Sequence, residues 1–233
     1  MSLIPPVENA FAQQKEVGLS HFSLRNTSKC FQQEISFLTK SEIRKHIKDL
    51  IKENISTLAN QSQGMCKKII GSGEYQAASE VFAYMALPDE VDLSEVIKQA
   101  LKDGKKVALP KILSQDDGIM EFFYLDPQKT LSEQTEDGVY GILEPDETLP
   151  ATPDPTGKTL ILVPGRAFTK DGDRLGRGKG YYDRYLEKEI VGSSPTMTRL
   201  PNVTVAGVCF EFQVLPELPT EPTDVKMDVI LRG

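Results

Sequence analysis

The stretch from Thr159 to Leu186 constrains this chain more than any other. It begins as an apolar run, Thr159-Leu160-Ile161-Leu162-Val163, closed by Pro164-Gly165. The run is short, rich in aliphatic residues and bounded by turn formers, which predicts a buried strand. Four glycines then fall within nine residues, Gly172, Gly176, Gly178 and Gly180, interleaved with Arg174, Arg177 and Lys179. Glycine carries no Cβ, so the backbone N–H groups beside it can approach a ligand closely. Tyr181-Tyr182-Asp183-Arg184-Tyr185-Leu186 follows and opens a helix. A strand, a basic glycine-rich loop and a helix N-terminus in that order are suited to holding phosphate.

Two common phosphate loops are excluded. A P-loop needs glycine five residues before the Gly-Lys pair and Ser or Thr after it. Here Asp173 stands five before Gly178, and Gly180 follows Lys179. The dinucleotide pattern fails as well, because the glycines run Gly176-x-Gly178-x-Gly180. Between residues 166 and 184 there are six basic and three acidic residues, a local +3 in a chain of net −7. A local positive site on an acidic protein favours a small anionic ligand over nucleic acid, which needs a broad basic surface. A solvated surface loop would carry the same charges, so spacing alone leaves that alternative open.

At 233 residues the chain is long enough for one domain, or one domain with a tail. It holds no apolar run near the roughly 18 residues of a membrane span. Its first residues lack the basic start and apolar core of a secretory signal. Cys30, Cys66 and Cys209 are odd in number and widely spaced, which suggests a reducing, cytoplasmic setting without a disulfide framework. Only His21 and His46 are present, so a His-rich zinc site and a Ser-His-Asp triad are poor options. The chemistry falls to carboxylates, Lys, Arg and Tyr, with a hard cation such as Mg²⁺ beside phosphate.

Along the chain, residues 1–38 show no sustained period and read as a poorly ordered extension; residues 39–233 read as a single domain. Thr39 and Glu42 form a capping box for a helix near 40–58, with Ile43, Ile47, Leu50, Ile51 and Ile55 at helical spacing. Lys40 and Arg44 share a face near its start, either solvated or reaching for an anion. A second helix is expected over 61–70. Glu80 to Leu87 reads as a strand ended by Pro88, with Asp89-Glu90 directly beyond it. That pair lies either at a helix start or at a ligand site outside the strand end. Asp92 with Glu95 reads as another capping box, for a helix ending at Gly104. Strands are expected at 106–110, 120–125, 203–210 and 229–231, and the order of the 80–87 strand, the helix ending at Gly104 and the 106–110 strand predicts a parallel βαβ unit with a right-handed crossover. Residues 140–145 are turn-rich, 144–158 a proline-rich loop, 180–190 a helix and 191–201 a polar loop.

The residues from Pro164-Gly165 through Phe168 to Gly172, then Arg174-Leu-Gly-Arg-Gly-Lys-Gly-Tyr-Tyr-Asp183, resemble the 5-formyltetrahydrofolate cyclo-ligase family. Lys40-x-x-x-Arg44, Glu74-Tyr75, Asp89-Glu90, Tyr140 to Pro145 and Asp224-x-x-x-Asp228 add to the likeness. Tyr140 stands where many family members carry Trp, and Arg166 and Thr169 also vary. The resemblance implies an α/β three-layer sandwich with a mostly parallel central sheet flanked by helices. It implies ATP-dependent closure of 5-formyltetrahydrofolate to 5,10-methenyltetrahydrofolate, with Mg²⁺. By similarity, Lys40, Arg44, Arg174, Leu175, Gly176, Arg177, Gly178, Lys179, Gly180, Tyr181 and Tyr182 surround ATP. Arg177 and Lys179 are the catalytic candidates, neutralising charge on the transferred group. Met85, Glu90, Tyr140, Tyr181 and Tyr182 are the expected substrate contacts. Asp183 and Asp224 are the metal candidates, with Asp228 weaker. A small-molecule enzyme with no nucleic acid or membrane partner, acting as a monomer, is expected. The competing readings are a nucleotide- or folate-binding regulatory protein without turnover, and another α/β phosphate enzyme.

Overall fold

The computed structural model describes residues 38–146, 148–150, 157–191 and 200–233. The expected N-terminal extension up to residue 37, and parts of the loops expected at 144–158 and 191–201, lie outside the described residues. Helix α1 spans Lys40–Asn54, capped by Thr39 as expected: Glu42 N–H donates to Thr39 Oγ1, and Thr39 N–H donates to Glu42 Oε2 at 2.8 Å. Helices α2 (Leu58–Gly71), α3 (Gly73–Ala77) and α4 (Ser94–Lys102) follow. The α2 helix begins three residues before the expected 61. The Asp92/Glu95 capping box does not form. Leu93 occupies the N-cap, Asp92 Oδ1 accepts from Ser94 N–H two residues on, and Glu95 pairs instead with Lys98.

The central sheet has the order β11-β9-β6-β1-β2-β3. Its strands are β1 (Glu80–Phe82), β2 (Lys106–Ser114), β3 (Ile119–Tyr124), β6 (Thr159–Pro164), β9 (Val203–Cys209) and β11 (Val229–Arg232). All neighbours pair in parallel except β3, which closes one edge antiparallel to β2. The unit β1-α4-β2 is the expected parallel βαβ. Side chains alternate across each strand. Val81, Val107, Leu160 and Leu162 pack with α1, α2 and α4, whereas Phe82, Ala108, Ile161 and Val163 pack with Phe122, Tyr185 and Leu186. That alternation is the three-layer arrangement.

The second face is covered by α5 (Tyr181–Tyr185), which passes into a π turn over Leu186–Val191 rather than continuing as the expected α-helix. Strand β1 is much shorter than the expected 80–87. Beyond Phe82 the chain stays buried through Tyr84, but after the bond from Ala83 N–H to Ala108 O it leaves the ladder. Among the described residues two small sheets accompany the central one. Strand β4 (Thr135–Asp137) pairs with β5 (Leu143–Pro145), and β10 (Val214–Leu215), β7 (Ala167–Thr169) and β8 (Arg174–Leu175) form a three-stranded patch. Among the described residues no helix is long and apolar enough to cross a membrane.

Candidate active site at the glycine-rich loop

From β1 the sheet grows one way through β2 and the other way through β6, so the strand order reverses between β1 and β6. Crevices outside the carboxyl ends of strands at such a reversal are the usual ligand sites of open α/β sheets. Here β1 delivers Met85, Asp89 and Glu90, and β6 delivers Pro164, Gly165 and Arg166. The hairpin β7–β8 then carries the chain into the glycine-rich loop.

The loop's backbone needs its glycines. Gly172, Gly178 and Gly180 have φ of 92°, 104° and 71°, a region costly for residues with a Cβ. At Gly172 a Cβ would meet Met227 O at 2.3 Å, and Met227 N–H donates to Gly172 O at 2.8 Å. This turn is therefore sealed onto the segment before β11. From the other side, Arg44 of α1 donates its Nε–H to Gly176 O at 2.9 Å.

Arg174 is the fixed post of the site. It is buried, donates to Pro164 O at 3.1 Å and to Asp183 Oδ1 at 2.6 Å, and lies 5.8 Å from the Tyr182 ring centroid. Lys40 donates to Asp224 Oδ2 at 2.8 Å and pairs with Glu221 at 3.2 Å. Burial alone would lower the Lys40 pKa, but Asp224 and Glu221 hold it above the ordinary value. Those carboxylates also offset the unfavourable placing of a cation at a helix start.

Two cavities meet at the loop. The smaller, 130 Å³, is lined by Met85, Glu90, Tyr140, Arg177, Tyr181 and Tyr182 among others. The larger, 630 Å³, is lined by Lys40, Arg44, Leu175, Gly178, Glu221 and Asp224 among others. Arg174, Gly176, Lys179, Gly180 and Asp183 line both, so these residues form a common wall. The Lys179 side chain is exposed and makes no ion pair with a described residue.

In the smaller cavity Glu90 is nearly buried. Its Oε2 accepts from Leu87 N–H at 3.0 Å and its Oε1 from Arg177 Nε–H at 2.9 Å. The terminal nitrogens of Arg177 reach Asp89, which also accepts from Arg166 Nη1 at 2.5 Å. Burial by itself would raise the Asp89 carboxyl, but Arg177 and then Arg166 outweigh it and hold the group below the usual carboxylate range. Tyr140 is the one described non-glycine residue at positive φ, 65°, and is half exposed with its hydroxyl 3.5 Å from that of Tyr181. Burial, with Tyr140 adding to it, pushes the Tyr181 hydroxyl up to about 12. Buried Glu144 pins the Tyr140 turn by accepting from Val139 N–H at 3.2 Å and Ile112 N–H at 3.4 Å. Strain of this kind persists only where the surroundings over-determine it. The hydroxyl of Tyr182 and Nε of Arg174 are buried without a partner among the described residues, as polar groups waiting for a ligand are.

The five expected substrate contacts, Met85, Glu90, Tyr140, Tyr181 and Tyr182, all line the smaller cavity. Of the expected nucleotide contacts, Lys40, Arg44, Arg174, Leu175, Gly176, Gly178, Lys179 and Gly180 line the larger one. Arg177, Tyr181 and Tyr182 line the smaller cavity instead, and Arg177 is committed to two carboxylates. Asp183 sits on the common wall and Asp224 in the larger cavity. Each is paired with a cation, and the described residues contain no group of three metal-ligating side chains. Asp228 turns away, its Oδ2 accepting from Val205 N–H at 2.7 Å. Sequence reasoning missed Glu144 and the pairing of Arg166 with Asp89. No spacing rule joins positions 77 residues apart, and only the meeting of two strand ends brings them together.

Comparison with known proteins places this architecture. The chain is similar to a probable 5-formyltetrahydrofolate cyclo-ligase of Schizosaccharomyces pombe, 34% identical over 179 residues that cover 74% of this chain and 83% of the relative. It is 28% identical to the 5-formyltetrahydrofolate cyclo-ligase of Mus musculus, over 83% of this chain and 95% of that protein. The solved structure of Aquifex aeolicus 5,10-methenyltetrahydrofolate synthetase superposes with a TM-score of 0.64 at 28% identity, covering 84% of this chain and 90% of that one. The model of the 5-formyltetrahydrofolate cyclo-ligase family matches residues 37–233, from the cap of α1 through the glycine-rich loop to the end of β11. On these grounds, as the loop motif led one to expect, the chain belongs to the 5-formyltetrahydrofolate cyclo-ligase family.

Proposed function

We propose that this chain converts 5-formyltetrahydrofolate and ATP into 5,10-methenyltetrahydrofolate, ADP and phosphate, with residues 39–233 working as one domain. The observation that carries this reading is the common wall, with an aromatic cavity on one side and a polar one on the other. The folate's fused ring enters the aromatic cavity, and the rest of the molecule passes out beside exposed Tyr140. ATP occupies the polar cavity, whose 630 Å³ falls in the range of small-molecule sites. The formyl oxygen and the γ-phosphate then meet at Lys179.

The formyl oxygen attacks the γ-phosphorus and ADP leaves. The N10 lone pair next attacks the formyl carbon, N10 loses its proton, and the C–O bond breaks with phosphate as the leaving group. The work asked of the protein is positioning and charge stabilisation. Lys179, whose side chain makes no ion pair with a described residue, answers the charge that develops on the transferred group. Arg174, already neutralised by Asp183, fixes the wall. Arg177 serves the folate side, because its charge is spent on Asp89 and Glu90.

For a Mg²⁺ ion, the polar cavity offers two carboxylates, Asp183 and Asp224. Asp183 gives Oδ1 to Arg174, and Asp224 gives Oδ2 to Lys40 and to Glu221 N–H. One oxygen of each carboxylate is left for a cation that takes its other ligands from phosphate and water. Bound there, the ion would supply charge neutralisation to the phosphates. The expected setting is the cytoplasm, as a monomer; the thiols of Cys66 and Cys209 are free and buried.

The test is growth of methenyl absorbance with 5-formyltetrahydrofolate, Mg²⁺ and ATP, against a control without ATP. ATP-dependent growth is expected. Binding of both ligands without growth or ADP release would favour the regulatory reading.

A further inference from the structure

Asp89 and Arg166 line neither cavity, yet they bridge the two strand ends between which the sheet order reverses. Arg166 Nη1 occupies Asp89 Oδ2 at 2.5 Å, and Arg177 Nη1 stands farther from the same oxygen, at 3.5 Å. Arg177 Nη2 takes the other oxygen of Asp89. Only Nε of Arg177 is left for Glu90, at 2.9 Å. A guanidinium whose terminal nitrogens are free prefers two parallel bonds to one carboxylate. Asp89 prevents that on Glu90.

We infer that Asp89 is a positioning residue for the aromatic cavity: it draws the Arg177 fork away from Glu90 and so leaves that carboxylate able to accept the N–H groups of a ligand. The inference rests on the reading of Glu90 as a substrate contact. Removing Asp89 lets the fork close on Glu90, and a ligand must then displace a bidentate cation. Removing Arg166 has the opposite sense, because Arg177 Nη1 can then close on Asp89 Oδ2 and is pulled farther from Glu90. A pair that merely stapled two loops would respond to both losses in one direction.

The experiment is equilibrium binding of 5-formyltetrahydrofolate to the full chain without ATP, with a non-hydrolysable ATP analogue titrated separately. Asp89→Asn is expected to weaken folate binding by about tenfold, the scale of a hydrogen bond to a charged group. Asp89→Glu should restore most of that loss, Arg166→Leu should bind folate no worse than the unaltered chain, and the ATP analogue should bind all three equally. Unchanged folate binding by Asp89→Asn, or equal weakening by Asp89→Asn and Arg166→Leu, would overturn the inference. If Asp89→Asn does not fold, Arg166→Leu against Asp89→Glu decides, since weakening by Arg166→Leu refutes it. Glu90→Gln separates the two layers. Normal folate binding by Glu90→Gln removes the Glu90 reading itself, whereas weak binding there with normal Asp89→Asn removes only the role of Asp89.

Discussion

The two cavities that share the glycine-rich wall are built from different materials. The aromatic one is lined largely by side chains at strand ends, closed by Tyr140 on a strained turn, and holds Glu90, a nearly buried carboxylate, under the control of a neighbouring arginine. The polar one is made by a helix start, loop backbone and the Lys40 cluster near the surface, where Glu221 is mostly exposed. A buried hydrogen-bonding group rejects a ligand that leaves it unpaired, so the first cavity is suited to discrimination. The Lys40 cluster is partly exposed, so its charge is partly screened and adaptable, and the second is suited to holding a flexible anion. Lys179 lines both cavities, and its side chain makes no ion pair with a described residue.

The sharpest way to break this division is at the wall. Lys179→Ala should lower kcat by about 100- to 1000-fold, the usual cost of removing one group that stabilises transition-state charge. Folding should be unchanged, because no described residue leans on the side chain. Near-normal turnover would move the chemistry off the wall. On the aromatic side, Glu90→Gln should raise the KM for folate by about tenfold while that for ATP moves less than about threefold. Equal rises would mean that the cavities are not separate in function. On the polar side, Lys40→Ala should raise the KM for ATP by only about threefold to fivefold, and added salt should narrow the gap from the unaltered enzyme. A rise confined to folate would reverse the assignment. The smallest effect is expected from Tyr182→Phe. Its hydroxyl has no partner among the described residues, so stability should stay within about 0.5 kcal/mol. A rise of about threefold in the folate KM would show that the ligand uses the hydroxyl, which is worth about one neutral hydrogen bond; no rise would assign Tyr182 to packing alone.

The sequence is most legible where one local rule decides. The run before Pro164 reads as a buried strand from its composition alone, and Thr39 with Glu42 caps a helix through contacts three residues apart. Both occur as expected. The spacing of Asp92 and Glu95 satisfies the same rule, yet the cap does not form. Asp92 is taken by Ser94, and Asp92 N–H turns to Ser62 Oγ on a neighbouring helix, so a tertiary contact outweighs a local preference. Ala83 to Leu87 is apolar in sequence like a strand, but hydrophobic pattern does not distinguish a paired backbone from an unpaired one. The site divides in the same way. Its glycines, lysine and tyrosines are legible because a phosphate loop must be continuous in sequence. The engagement of Arg177 by Asp89 and Glu90 is not, because it depends on which two strands become neighbours.

Position 172 works as a spacer between the glycine-rich loop and the segment before β11. The glycine there lets two stretches of main chain touch, and the second stretch begins at Asp224, the partner of Lys40. A single added methyl group would wedge these stretches apart. On the proposed reading of the polar cavity, the change would surface as weaker ATP binding, although Gly172 lines neither cavity. In a library of random variants, such a site would be scored as a ligand contact by its phenotype and as a packing position by its surroundings, and both labels would describe the same 2.3 Å of missing space.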